Sequence, residues 1–358
     1  MKTNSSSIIK TLLILFLVFA GLHYAKDFLV PLSIGALLAT LFLPFCKWLE
    51  KHKIPRGLSV LSCLLILLLA ISAVAALLGW QIAELTNDLP LIKQKTVETA
   101  NRIQEYIFNQ FGISSVEQWQ LLKEQQNSVT DIIQLMAGSL IHIFTGFILM
   151  LVYVFLLLYY RIHIKHFILK LSSDSHREEM EHVISRVTHV SQQYLLGLTK
   201  MIVCLWIMYG IGFSLVGAKN PFFFAILCGL LEIIPYIGNI TGTTVTVLVS
   251  AIHGAGLPVL ATIILTYGLV QLIQGWILEP LILGPQVKIN PLFTIIVLVL
   301  GQIVWGIPGI ILAIPLTGML KIVCDHIESL KPYGFLIGEI ENKKKESGLI
   351  KRMKGWFK

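Results

Sequence analysis

Charge is scarce in this chain. Asp, Glu, Lys and Arg make up 13% of its 358 residues, 55% are hydrophobic, and the mean hydropathy is +0.78. A soluble domain carries about one quarter charged residues, so this composition excludes an ordinary soluble protein and indicates a membrane chain. Cysteine is sparse too. Cys46, Cys63, Cys204, Cys228 and Cys324 lie in or beside apolar runs without CxxC spacing, which indicates neither a disulfide framework nor a zinc site and leaves them as small core residues. No GxxxxGK[ST] is present, so ATP is not the direct energy source. GxSxG and HExxH are missing as well, and there is one deep carboxylate where intramembrane hydrolysis needs a pair or a nucleophile with its base. The chain therefore reads as a non-enzyme with no cofactor and no resident metal. His182 and His189 share a helix face, but no His pair at i, i+4 and no neighbouring Cys turns them into a metal site.

What is abundant is long apolar sequence. Runs of the roughly 20 residues that cross about 30 Å of hydrocarbon lie at 8–25, 28–46, 58–80, 137–160, 195–217 and 257–278. Two more, 221–252 and 291–324, are too long for one straight crossing. The expected fold is an all-α polytopic membrane protein with 6–8 spanning helices. The first run follows Lys2 and Lys10 as a secretory signal does, but its Ser-rich start and poor cleavage site favour a retained helix.

Lys and Arg placement sets the orientation. The loop after the second run has Lys47, Lys51, Lys53 and Arg56 against Glu50, and the loop after 160 begins with Arg161, Lys165 and Lys170; both read as cytoplasmic. Residues 81–136 hold four basic and seven acidic residues and read as an outward-facing helical insertion, broken near Pro90 and the FGISS stretch at 111–115. The tail from Lys331, with eight basic residues against three acidic, returns to the cytoplasm, so both termini are placed inside. The expected organisation is N-terminal transmembrane helices at 1–80, the insertion at 81–136, a transmembrane helix and a cytoplasmic amphipathic helix at 137–194, a duplicated core at 195–325 and a basic tail at 326–358.

The duplication shows as GLTK at 197–200 against GLVQ at 268–271, Asn220-Pro221 against Asn290-Pro291, and GLLEIIPYIG against VLGQIVWGIPG, with Pro235 and Pro308 in matching places. Each unit is a spanning helix, an Asn-Pro, then a long apolar stretch interrupted by Pro and Gly. A continuous helix over 221–252 would be about 48 Å long. Pro235 lacks an amide, Gly238 eases a turn and Asn239 can satisfy freed backbone groups, so the stretch divides into two halves. GIPG at 306–309 divides 291–324 in the same way, with Pro308 and Gly309 at the break. Single kinked spans give eight crossings, and re-entrant hairpins give six with inverted units. Halves too short to span favour hairpins. Paired broken segments are the sequence pointer to a transporter's binding site, because non-helical backbone at membrane depth must be buried in protein or line a wet cavity. Glu232 then sits beside the first break with a cation or a donor to meet its charge. Gln302 matches it in the second unit, and Gln271, Gln274, Glu279 and Asn290 are further polar candidates.

LLEIIPYIGN at 230–239, ILEPLILGPQVKINPLF at 277–293 and GIPGIILAIPL at 306–316 together resemble the autoinducer-2 exporter family of bacterial membrane proteins, and the resemblance runs from the first helix to about Lys331. It implies an oligomeric secondary transporter of the inner membrane. It fixes the scaffold better than the cargo, since some members are assigned autoinducer-2 export and others sodium or lithium exchange for protons. The family's motif positions here are Glu232, Pro235, Gly238, Glu279, Pro280, Gly284, Asn290, Pro291, Gly306, Pro308 and Gly309. The expected partners are a small polar solute, H+ or Na+, membrane lipid and further copies of the chain, with no nucleic acid. A cation/proton antiporter and a non-transporting membrane scaffold are the alternatives.

Overall fold

The computed structural model describes residues 5–87, 129–172, 176–218, 220–234, 237–283 and 288–339. These residues are helical almost throughout, with no strand among them and one isolated antiparallel bridge between Ile289 and Gly338. Most of the segment expected to be an outward-facing insertion, at 88–128, and the tail at 340–358 lie outside the described residues.

Helix α1 (Ser5–Tyr24) meets α2 (Lys26–Lys51) at the single residue Ala25. The Ala25 amide donates to Gly21 and the Leu29 amide to Ala25, so a bend joins the two helices where the hydropathy pattern suggests a loop. The physical reason is local: Lys26 and Asp27 interrupt the apolar run, but no Gly or Pro at 24–26 stops the helix. Helices α2, α3 (Arg56–Asn87) and α4 (Val129–Tyr159) then pack around Ala39, Cys46, Val60, Cys63, Val154 and Leu158. Gly35 permits their close approach, because a Cβ there would stand 2.9 Å from the Cβ of Tyr153. At one end of this bundle Arg161 bonds Glu50 and, at 3.3 Å, the Cys46 sulfur. All five cysteines are free and four are buried, which fits small core residues.

After α4 the chain bends by 69° into α5 (Arg161–Leu171). The expected amphipathic helix and the following span prove to be one rod, α6 (Arg177–Leu215), of 39 residues and about 58 Å. Nothing divides it, since Gly197 is its only glycine before Gly210 and it has no proline. His176 at its N-cap makes no side-chain cap bond.

Next come α7 (Pro221–Leu231), α8 (Ile237–Ile252), α9 (Leu257–Ile273) and a π-helical stretch, Gln274–Leu283, that accommodates Pro280. They are followed by α10 (Pro291–Trp305), α11 (Ile307–His326) and the short α12 (Lys331–Ile337). Tyr209, Phe213 and Leu205 of α6 form the second core with Phe224 and Cys228 of α7 and Ile263 and Val270 of α9. Among the described residues, α2, α6 and α11, together with Arg56–Leu77 and Leu257–Ile282, are long and apolar enough to cross a membrane, and the bent α4–α5 pair is a sixth candidate. Phe222, Leu265, Trp276 and Ile303 are among many large apolar side chains left exposed, as a lipid-facing surface requires.

Both long runs fold back on themselves. In the first, a Cβ on Gly242 would stand 3.0 Å from the Cys228 sulfur, Cys228 Sγ lies 3.8 Å from Thr246 Oγ1, and Gly238 abuts the Leu231 carbonyl, so α7 and α8 are antiparallel. The tip is closed by Ile234 accepting from the Gly238 amide. In the second, Gly301 and Gly309 meet backbone to backbone around a turn at Gly306, whose φ of 66° suits glycine. The two hairpins approach α6 from opposite ends. The first begins beyond Leu215 and runs back, with Phe222 beside Gly210 and Gly229 beside Trp206. The second ends with Val323 and His326 beside residues 182–189 of α6. They touch where Ile234 packs on Leu298, Ile310 and Ala313. One expectation needs correcting: α11, at 20 residues, is long enough to cross, so only three of the four arms are short.

Asn290 ties the base of the second hairpin. Its Oδ1 caps α10 by accepting from the Phe293 amide at 2.8 Å, and its Nδ2 donates to Leu336 O at 2.7 Å and Gly338 O at 3.2 Å. Asn290→Ala is expected to cost about 1–2 kcal/mol, read as a lower unfolding temperature in detergent and faster proteolysis after residue 330. Unchanged values for both would refute this role.

Candidate functional site

Glu232 closes α7 and is only 8% exposed. Its position follows from the broken helix, because the Glu232, Ile233 and Ile234 amides bond back to Cys228, Leu230 and Leu231 while the chain turns toward Gly238. Gln274, 3% exposed at the start of the π-helical stretch, donates from Nε2 to Glu232 Oε1 at 2.5 Å. Gln271, one turn earlier, donates to Gln274 Oε1 at 3.1 Å and to the Tyr209 hydroxyl at 3.0 Å. A polar chain thus runs from the first hairpin through α9 to α6. The i, i+3 spacing of Gln271 and Gln274 places both on one helix face.

Tyr209 forms the far end of the chain and is 1% exposed. Its ring stacks on Phe213 at 5.4 Å and on Tyr267 at 6.3 Å, giving an aromatic wall beside the amides. A buried phenol at membrane depth needs a partner for its hydroxyl, and Gln271 supplies one. Sequence reasoning missed Tyr209 because a tyrosine in an apolar helix resembles any packed aromatic. The available signal was the hydroxyl itself, set inside an apolar run.

The structure brings together Glu232, Gln271 and Gln274 of the expected site residues. Gly238 stands at the same tip, with its backbone against the Leu231 carbonyl. Pro235 and Gly284 lie outside the described residues, as does the Asn239 side chain. Asn290 is the structural joint described above. Pro308 opens α11 and Gly309 contacts Gly301, so both shape the second tip. Gln302 is exposed on α10, and Glu279 is exposed on the π-helical stretch.

An amide-lined carboxylate of this kind can hold a proton or a small cation, or orient a polar solute by hydrogen bonds. Opposed broken helices that meet two residues from such a group, as at Ile234 here, are a transport architecture.

Comparison with known proteins agrees with this reading. Residues 12–329 match the pattern described as AI-2E family transporter. YueF of Bacillus subtilis, named as a candidate transport protein, is 27% identical over 310 residues, covering 81% of this chain and 82% of that one. The AI-2 transport protein TqsA of Escherichia coli is 22% identical over 339 residues, covering 94% and 97%. A candidate transport protein of Haemophilus influenzae is 24% identical over 353 residues, covering 95% and 99%.

Proposed function

Because this chain belongs to the AI-2E family of membrane transporters, we propose that it is a secondary transporter that exports a small polar solute such as autoinducer-2 by alternating exposure of its two hairpin tips. The observation that carries the proposal is the buried Glu232 held by Gln274 and Gln271 at the tip of a reversed helix pair. A carboxylate in hydrocarbon is costly enough to be retained for function. Loss or gain of a proton, or exchange of a cation, changes what its amide partners must satisfy. Such a change couples an ion gradient to the solute. Gln271 and the Tyr209 hydroxyl extend the same polar surface, which suits a solute with several hydroxyl or carbonyl groups.

The placement that goes with this function is the bacterial inner membrane. The loop at 52–55 and α5 face the cytoplasm, and the chain acts as a homo-oligomer. Cationic side chains gathered near Glu50, namely Arg56 at 3.8 Å and Arg161, support that side as the inner one.

Proteoliposomes loaded with autoinducer-2 should release it faster when a proton or sodium gradient is imposed than when none is. Equal release with and without gradients would refute the coupling, and no release above protein-free vesicles would refute the choice of solute. The second reading, a sodium or lithium/proton antiporter, rests on the same carboxylate. Sodium uptake driven by a pH gradient alone, with no solute present, would favour it.

A further inference from the structure

Away from Glu232, a cavity of about 440 Å³ lies where five helices converge, lined by Ala36 and Leu43 of α2, Leu157 of α4, Ile168 of α5, Val187 of α6 and Val323 of α11. Its wall also carries two hydroxyls, Thr40 and Thr188, but each already donates to its own helix, to Ala36 O and Ile184 O at 2.8 Å. The interior therefore asks for an apolar guest. Arg161 and Lys165 line the same space. Arg161 is bound to Glu50 and Cys46, while Lys165 pairs with Glu181 at the open side, where the two side chains are 43% and 56% exposed. An exposed pair of this kind contributes little and exchanges readily, and an ammonium has three donors, of which Glu181 uses one.

The setting names the guest. Helix α5 leaves α4 at 69° and carries Arg161, Lys165 and Lys170 together with exposed Ile162, Phe167 and Leu171. Basic residues mixed with exposed large apolar ones on a short helix mark an element lying in the lipid headgroup region. We propose that the cavity is a site for an anionic phospholipid of the adjoining leaflet, with one acyl chain among the apolar walls and the phosphate held by Lys165 and Arg161. A lipid seated there bridges the N-terminal bundle, α6 and the long arm of the second hairpin. It would set how easily that arm moves against α6.

Native mass spectrometry of delipidated protein titrated with phosphatidylglycerol, phosphatidylcholine or dodecanoate tests the assignment. Phosphatidylglycerol should be retained roughly fivefold or more over phosphatidylcholine. Lys165→Gln, which removes an exposed ion pair of small expected stability, should erase that preference, and Val187→Trp should remove the bound lipid by filling the cavity. Equal retention of the two lipids, undiminished retention in Lys165→Gln, or preference for dodecanoate over phosphatidylglycerol would each overturn the proposal. Should Val187→Trp not fold, the lipid comparison and Lys165→Gln decide alone.

Discussion

Glu232→Gln protein is expected to insert and fold normally and to lose gradient-driven solute release by roughly 10- to 100-fold, the equivalent of about 1.4–2.8 kcal/mol. The substitution keeps the size of the side chain, and its amide oxygen can still accept from Gln274 Nε2. What it removes is the site for a proton or a cation. The measurement is flux in proteoliposomes at matched protein content, with and without an imposed gradient. Wild-type coupled flux in Glu232→Gln would remove the carboxylate from the mechanism. Normal autoinducer-2 release with pH-dependent sodium exchange lost would move the assignment to the antiporter. A companion change, Glu232→Ala with normal insertion and undiminished biological activity, would favour the non-transporting scaffold.

The second large effect concerns the other hairpin. Gly301 and Gly309 face each other with no side chain between them; a Cβ on Gly309 would run into the Gly301 carbonyl, and one on Gly301 would stand 2.5 Å from Gly309 O. Backbone cannot give way as a flexible side chain can, so Gly309→Val must push α10 and α11 apart. Overpacking a tight interface costs about 1–3 kcal/mol, and a β-branched residue against backbone should reach the top of that range. The expected results are a clearly lower unfolding temperature in detergent and a reduced folded yield, with Gly309→Ala intermediate. Gly268, inside α9 where a Cβ would meet nothing within 4 Å, is the control, and Gly268→Ala should leave stability unchanged or raise it by up to about 1 kcal/mol. If Gly309→Val proved as stable as wild type, the tight α10–α11 contact would be refuted.

The centre of the site was legible because polar residues inside apolar runs stand out. Glu232, Gln271 and Gln274 each cost free energy in hydrocarbon, and the structure joins them. The folding-back of both long runs was only the favoured of two readings, the other being a kinked span. A break in each run was legible from length, since neither fits the bilayer as a straight rod. Tyr209 was not, because apolarity hides its hydroxyl. Nor was the role of Asn290, whose bonds reach Leu336 and Gly338, far along the chain. Boundaries in helix α6 and at Ala25 were misplaced for one reason: hydropathy records where polarity changes, while a helix stops only where its hydrogen bonding is interrupted.

That unbroken α6 has a mechanical consequence. As a stiff shaft of about 58 Å, it carries Tyr209 of the polar chain near one end and the Val187 wall of the apolar cavity near the other. A swing of ten degrees about its middle would carry either end by about 5 Å in opposite directions. Whatever grips the shaft at one end therefore sets the leverage felt at the other, and no loop lies between to absorb the stroke.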